Sequence, residues 1–163
     1  PPSIYVAAHK NPQRKDTTMF RTLTTALLLT TLLGGAAMAE TIEVKMLNKS
    51  GKETMVFEPD FVKIAVGDTI KFVPEDKGHN AESIKEMMPE GAEPFKGKIS
   101  KEVEVTFDIE GVYGVECKPH FAMGMVMTVA VGDVAAAPDD FLAGRLPPKA
   151  KKRFEEQLTN LNK

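Results

Sequence analysis

Apolar and polar residues alternate along much of the chain between Thr41 and Val131, a pattern that predicts β-strands. In the first of these strands, Ile42, Val44 and Met46 alternate with polar residues, so one face is buried and the other faces water. Further short apolar runs, bounded by turn residues, occupy 61–66, 69–73, 103–109, 112–116 and 125–131. Many short strands at this spacing favour an all-β sandwich. The last run is apolar on both faces, which predicts a central strand.

Two stretches depart from the strand pattern. Residues 81–88 predict a helical turn or a loop, ended by Pro89. From about residue 138 the period changes, and Pro138-Asp139-Asp140 predicts the start of a first short α-helix. Pro147-Pro148 then separates a second short helix. Its apolar residues recur at helical spacing, which predicts a stripe that packs on the sandwich. They are Ala150, Phe154, Leu158 and Leu161.

The N-terminal part predicts a leader rather than part of the folded domain. From Met19 a basic start, the apolar stretch 23–33 and Ala37-Met38-Ala39 are the successive parts of a secretory signal peptide. We interpret residues 1–18 as an over-extended start and residues 19–39 as the signal peptide. Cleavage after Ala39 would leave a single domain, residues 40–163, in the periplasm.

The composition of that domain limits the classes of function that it could have. The leader holds four of the 21 basic and one of the 23 acidic residues, so the domain has a net charge near −5. This charge argues against nucleic acid as a partner. Two of the three histidines and the lone cysteine, Cys117, remain. A lone cysteine in an exported protein is a free thiol or a metal ligand, because it has no partner for an internal disulfide.

The candidate chemistry is concentrated in nine residues. Cys117 and His120 flank a short turn, Met125 follows five residues later, and His79 lies in a Gly-His-Asn sequence upstream. A thiolate, imidazoles and a thioether are ligands that suit copper in both its Cu(I) and Cu(II) states. We therefore predict one copper ion per chain at these four residues and a protein that carries electrons.

Other interpretations of the same residues remain open. Cys117 could be inert packing, or it could pair with His120 as a hydrolytic nucleophile and base. Zinc could bind cysteine and two histidines, although a methionine adds nothing to a zinc site. A periplasmic copper chaperone or carrier is the alternative function, because clustered methionines hold Cu(I).

The motifs resemble those of the pseudoazurins, a family of blue copper proteins within the cupredoxins. The matching segments are Gly78-His79-Asn80, Cys-x-x-His-x-x-x-x-Met from Cys117 to Met125, Met46–Lys49, Met55–Pro59, Tyr113–Cys117 and Pro119–Val126. The resemblance implies a cupredoxin-like Greek-key β-sandwich of about eight strands, followed by two C-terminal helices. It also implies a type 1 copper site and no enzymatic activity.

The resemblance also implies roles for residues around the ligands. Asn80 would hold the two ligand loops together and donate a hydrogen bond towards the Cys117 sulfur. Met55 would pack beside the His120 ring. Pro119 would belong to an apolar patch through which the edge of His120 reaches the surface.

A ring of lysines would surround this patch and dock redox partners by transient electrostatic contacts. Its members are Lys49, Lys77, Lys96, Lys98 and Lys118. The resemblance implies a monomer whose partners are periplasmic redox proteins, namely a nitrite reductase of denitrification and c-type cytochromes. It implies no role for a membrane.

Overall fold

The computed structural model describes residues 38–163, so the predicted leader lies outside the described residues except for its last two. The described part contains eight strands and one α-helix, α1 (Pro148–Leu158). The strands are β1 (Thr41–Ser50), β2 (Glu53–Glu58), β3 (Phe61–Ile64), β4 (Thr69–Val73), β5 (Glu82–Ser83), β6 (Val103–Thr106), β7 (Gly111–Glu116) and β8 (Val126–Val131). Within residues 38–163, no helix has the length and apolar character needed to cross a membrane.

The strands form two four-stranded sheets, with orders β2-β1-β4-β6 and β3-β8-β7-β5. Each sheet contains one parallel pair, β1 with β4 and β3 with β8, and its other pairs are antiparallel. Because β7 and β8 are adjacent antiparallel strands, the segment between them turns back at one end of its sheet. The predicted all-β sandwich is confirmed.

The main core lies between the two sheets. Val44 and Met46 of β1 are fully buried while Glu43 is exposed, as the alternation predicts. They belong to one hydrophobic cluster with Phe72 of β4, and β7 and β8 supply its opposite wall. Aromatic rings run through this cluster, each in contact with the next: Phe57, Phe72, Phe95, Phe107 and Tyr113.

A second apolar layer covers the other face of β7 and β8. Phe154 and Ala150 of α1 are fully buried there against Val126 and Ala130 of β8. All six residues of β8 are consequently buried, which explains why its sequence is apolar on both faces. The predicted central strand and the predicted second C-terminal helix are both confirmed.

The predicted first C-terminal helix is wrong. Residues 139–142 form turns, in which Phe141 N–H donates to the Pro138 carbonyl at 3.0 Å and Ala143 N–H to the Asp140 carbonyl at 2.8 Å. Only eight residues lie between Pro138 and Pro147, and Gly144 among them has a low helix propensity. Phe141 is nevertheless buried against Phe154, so its apolar character reflects packing rather than helical period.

Residues 81–88 contain a 3-10 helix over Lys85–Met87, which confirms the predicted helical turn, and the short strand β5, which was not predicted. The sequence pattern does not predict β2, because Met55, Val56 and Phe57 are consecutive apolar residues without alternation.

Candidate metal centre

Two loops at one end of the sandwich bring the predicted ligands together. His79 lies between β4 and β5, whereas Cys117, His120 and Met125 lie in the segment that joins β7 to β8. This ligand loop, Cys117–Met125, is closed by its own backbone: Cys117 N–H donates to the Met125 carbonyl at 3.0 Å, and Met125 N–H donates to the His120 carbonyl at 3.2 Å. Between these contacts, residues Lys118–Met123 form a 3-10 helix.

Three donor atoms converge on one point. The Cys117 Sγ lies 3.7 Å from His79 Nδ1 and 3.5 Å from His120 Nδ1, and the two Nδ1 atoms are 3.0 Å apart. Donor atoms that share one ion at about 2.0–2.3 Å would be separated by roughly 3.5–4 Å. The two sulfur–nitrogen distances match this range, whereas the nitrogen–nitrogen distance is shorter. Within residues 38–163, this is the one group of three or more histidine, cysteine or acidic side chains arranged to hold a metal ion.

Burial distinguishes His120 from the other predicted ligands. Cys117, Met125 and His79 are entirely buried, and His120 is half-buried. Met125 belongs to the same core cluster as Cys117, so a thioether lies at this end of the core together with the thiol. A thiol, two imidazoles and a thioether match the preferences of copper better than those of zinc. The residues present therefore fit a copper ion.

Burial also sets the charge state of the apo site. It lowers the pKa of His79, and the neighbouring charge of His120 lowers it further while Asp76 acts in the opposite direction. Burial raises the pKa of the Cys117 thiol, against the backbone N–H groups of Asn80 and His120, which stabilise its thiolate. Both shifts favour the neutral forms of His79 and Cys117, and a cation beside Cys117 would favour its thiolate.

Asn48 is a site residue that the sequence analysis missed. His79 Nε2–H donates to Asn48 Oδ1 at 3.1 Å, and Asn48 N–H in turn donates to Asp76 Oδ2 at 2.7 Å. With Nε2 protonated, the lone pair of His79 is on Nδ1, the nitrogen that faces Cys117. Asn48 lies within the segment Met46–Lys49 that matches the pseudoazurins, but it is 31 residues from His79, so local spacing assigns it no role.

Asn80 connects the two ligand loops. Its Oδ1 accepts the Lys118 N–H at 2.8 Å, and its Nδ2 donates to the Gly97 carbonyl at 3.1 Å and to Glu82 Oε2 at 3.0 Å. The hydrogen bond towards the Cys117 sulfur comes from the backbone N–H of Asn80. The side chain therefore positions the loops, and the main chain contacts the ligand.

Pro119 and Met55 lie at different depths near the site. Pro119 is exposed and lines a shallow, mainly apolar depression, together with the exposed Ile99. Met55 is half-buried against the main core cluster. Its backbone has φ +53°, a left-handed conformation that is uncommon for a residue other than glycine.

All five lysines of the predicted ring are exposed. Lys96, Lys98 and Lys118 line the depression beside Pro119. Lys77 lies two residues before His79, and Lys49 follows Asn48.

Lys118 has buried acidic partners. Glu82 and Glu116 lie opposite each other on β5 and β7, and both side chains are more than nine-tenths buried. Lys118 Nζ lies 2.9 Å from Glu116 Oε1 and 3.9 Å from Glu82 Oε1, and Lys96 Nζ lies 3.8 Å from Glu82 Oε2. Burial raises the pKa of Glu116, against the effect of Lys118 and with a further rise from Glu82. Much of the positive charge of Lys118 is thus balanced locally, unlike that of a free surface lysine.

Comparison with known sequences places this arrangement among copper proteins. Residues 44–132 match the family described as copper binding proteins, plastocyanin/azurin family. The chain is 48% identical to a pseudoazurin of Paracoccus pantotrophus over 130 residues, which covers 80% of this chain and 90% of that protein. It is 50% identical to a pseudoazurin of Methylorubrum extorquens over 110 residues, 68% of this chain and 73% of that protein.

Solved structures show the same relationship. A pseudoazurin from Methylobacterium extorquens superposes with a TM-score of 0.68 at 42% identity, covering 74% of this chain and 98% of that one. A native pseudoazurin from Hyphomicrobium denitrificans superposes with a TM-score of 0.67 at 45% identity, covering 74% of this chain and 97% of that one.

Proposed function

Because the chain belongs to the plastocyanin/azurin family of copper-binding proteins, and within it to the pseudoazurins, we propose that it is a periplasmic carrier that passes single electrons to a nitrite reductase. Its cofactor is copper, and membership of this family supports a role as an electron carrier rather than as an enzyme. The periplasmic location is supported by the sequence of residues 19–39, which has the parts of a signal peptide.

The observation that carries the proposal is the convergence of His79, Cys117 and His120. Their three donor atoms lie within 4.8 Å of one another. We assign these three atoms, together with the thioether of Met125, as the groups that would hold copper in a type 1 site. When bound there, copper supplies a one-electron change between Cu(I) and Cu(II).

The protein part of this mechanism is to hold the ligands in one arrangement. Asn48 fixes the tautomer of His79, and the side chain of Asn80 holds the ligand loop at Lys118. The loop is further held by the hydrogen bonds that join Cys117, His120 and Met125. Ligands that are fixed in advance have little need to move when the charge at the site changes, which favours rapid electron transfer.

His120 is the ligand through which we expect electrons to leave. It is half-buried, and its neighbour Pro119 lines the exposed apolar depression, whereas His79, Cys117 and Met125 are entirely buried. A small apolar contact with a basic margin suits the transient docking of redox partners.

Electron exchange with a reductase tests the proposed function. The reduced, copper-loaded protein is mixed with a copper-containing nitrite reductase and nitrite in a stopped-flow instrument. We expect the visible thiolate-to-copper band to return at a rate that rises with the reductase concentration. The absence of oxidation by either the reductase or a c-type cytochrome would contradict the proposed partner class.

A chelator separates electron transfer from copper delivery. An electron carrier retains its copper while it is reduced and oxidised many times in the presence of a competing Cu(I) chelator. Rapid and complete transfer of copper to the chelator, without electron exchange, would support a copper carrier instead.

Reversing the charge of Lys77 is expected to slow association with the reductase several-fold at low salt. Lys77 is exposed beside the His79 loop, and unit charges 4 Å apart in water interact by about 1 kcal/mol. Stopped-flow rates of Lys77→Glu measure the effect, which high salt should remove. The visible spectrum should stay unchanged.

The matched control is Lys63→Glu, which makes the same change in net charge. Lys63 of β3 is exposed and lies opposite Ala130, far along β8 from the ligand loop. Equal slowing in both variants would show that net charge rather than a docking surface controls the rate. Lys118 is a poorer site for this test, because its reversal would also disturb Glu82 and Glu116.

A further inference from the structure

Arg153 of α1 connects the C-terminal helix to the ligand loop. The residue is 9% exposed, although arginine is usually found at the surface. Its Nη1 donates to the carbonyls of Met55 and Gly124, each at 2.7 Å. Its Nη2 donates to Glu53 Oε2 at 2.7 Å and to the Thr54 carbonyl at 3.0 Å. Three of the four acceptors are backbone carbonyls.

We propose that Arg153 is a positioning residue for electron transfer, which sets the placement of Met125 through the backbone of Gly124. The inference rests on the proposed function, in which Met125 would be one of the copper ligands. It makes α1 part of the copper site, in addition to its role in covering β8.

The peptide unit between Gly124 and Met125 is held from both sides. Its carbonyl, from Gly124, accepts the hydrogen bond of Arg153, and its N–H, from Met125, donates to the His120 carbonyl at 3.2 Å. A change at Arg153 therefore acts on the orientation of the Gly124–Met125 peptide. This peptide directly precedes the side chain of Met125 and is hydrogen-bonded to the backbone of His120.

Gly124 also shows how closely the ligand loop approaches α1. It has φ +84°, and a Cβ at this position would lie 2.8 Å from Lys149 Cγ. Glycine is therefore required both by the left-handed backbone and by the contact with the helix. The ligand loop thus packs closely on α1, which carries both Lys149 and Arg153.

Met55 gives a second reason to assign a positioning role. Its left-handed backbone, φ +53°, is unfavourable for a methionine and persists where surrounding contacts hold it. The same Nη1 atom that binds Gly124 binds the Met55 carbonyl. One guanidinium thus fixes β2 relative to the ligand loop.

A simple ion pair does not account for these contacts. The Glu53 side chain is 66% exposed, and exposed pairs contribute little to stability. Glu53 supplies one of the four acceptors, and the other three are backbone carbonyls that would lose the Arg153 donor if the guanidinium were removed.

The test compares Arg153→Met with Glu53→Gln. The first removes every donor, whereas the second removes the carboxylate charge and leaves the three carbonyl contacts. We expect Arg153→Met to shift the reduction potential and the ratio of the visible copper bands, and to weaken Cu(I) binding by roughly tenfold, as loss of groups behind metal ligands does. Amide hydrogen exchange at Met125 in the apo protein should become faster. Glu53→Gln should match the unmutated protein in all four measurements.

A structural role alone makes a different prediction. If Arg153→Met lowered the melting temperature but kept the potential, the band ratio and the Met125 exchange of the unmutated protein, the proposal would be overturned. If Arg153→Met did not fold, Arg153→Lys would replace it, because a single ammonium cannot reproduce the guanidinium fork. A lysine variant indistinguishable from the unmutated protein in these three measurements would also overturn the proposal.

The same series separates this inference from the proposed function. An unmutated protein without a thiolate-to-copper band would contradict the copper assignment itself. An unmutated protein with the band, beside an Arg153→Met variant with identical properties, would contradict the positioning role and leave the electron carrier intact.

Discussion

Replacing Cys117 by serine is expected to abolish the intense visible absorption of the copper-loaded protein. That absorption requires charge transfer from a thiolate to Cu(II), and Cys117 is the one cysteine in the chain. Its Sγ lies 3.5 Å and 3.7 Å from the two histidine nitrogens, so it is the sulfur placed to share an ion with them. A serine hydroxyl is a harder donor that is not ionised at neutral pH, and it binds Cu(I) poorly.

Absorption and electron paramagnetic resonance spectra of the Cu(II)-loaded variant measure this effect. Serine differs from cysteine by one atom, so the apo variant should fold and its circular dichroism should be unchanged. Met127→Leu is the matched control, because it removes a fully buried sulfur from the same core cluster and roughly conserves volume. Retention of the band in Cys117→Ser, or its loss in Met127→Leu, would show that the ligand set is wrong.

Replacing Phe154 by alanine is expected to reduce the free energy of unfolding by about 3–5 kcal/mol. The ring is fully buried between β8 and the C-terminal segment, with its centroid 6.2 Å from that of Phe141 in an edge-to-face contact. Truncation would leave a cavity that the sheet beneath cannot fill, because a β-sheet is held by its hydrogen-bonded ladder.

Urea unfolding of the apo protein, followed by circular dichroism, measures the loss. Leu158→Ala, at a half-buried position of the same helix, should cost clearly less. A loss below about 1 kcal/mol for Phe154→Ala would mean that α1 contributes little to folding stability. Because Phe154 makes none of the hydrogen bonds of Arg153, its variant also shows what destabilisation alone does to the copper spectrum.

The sequence predicts those parts of the molecule that depend on short-range periodicity. The alternation in β1, the two-faced apolar run of β8 and the stripe of α1 all correspond to the observed burial. The ligand spacing from Cys117 to Met125 is likewise local, since a single loop carries three of the four predicted ligands.

Contacts between residues far apart in the sequence could not be predicted from the sequence. Asn48 reaches His79 across 31 residues, and Arg153 reaches Met55 across 98. Neither partner follows from spacing, because both depend on how β1, β2 and α1 are placed by the fold. The incorrect prediction of a helix after Pro138 has a related cause. The ring of Phe141 packs against Phe154, which is distant in the sequence, and does not belong to a helical apolar stripe.

The double burial of β8 has a consequence for biosynthesis. α1 follows all eight described strands in the chain, so its apolar face leaves the ribosome after them. Until then, the outer surface around Val126 and Ala130 has no cover and is open to chaperones or to other chains. The double-sided burial of β8 can therefore be completed only when α1 has emerged, so the strands depend during synthesis on a helix that is made after them.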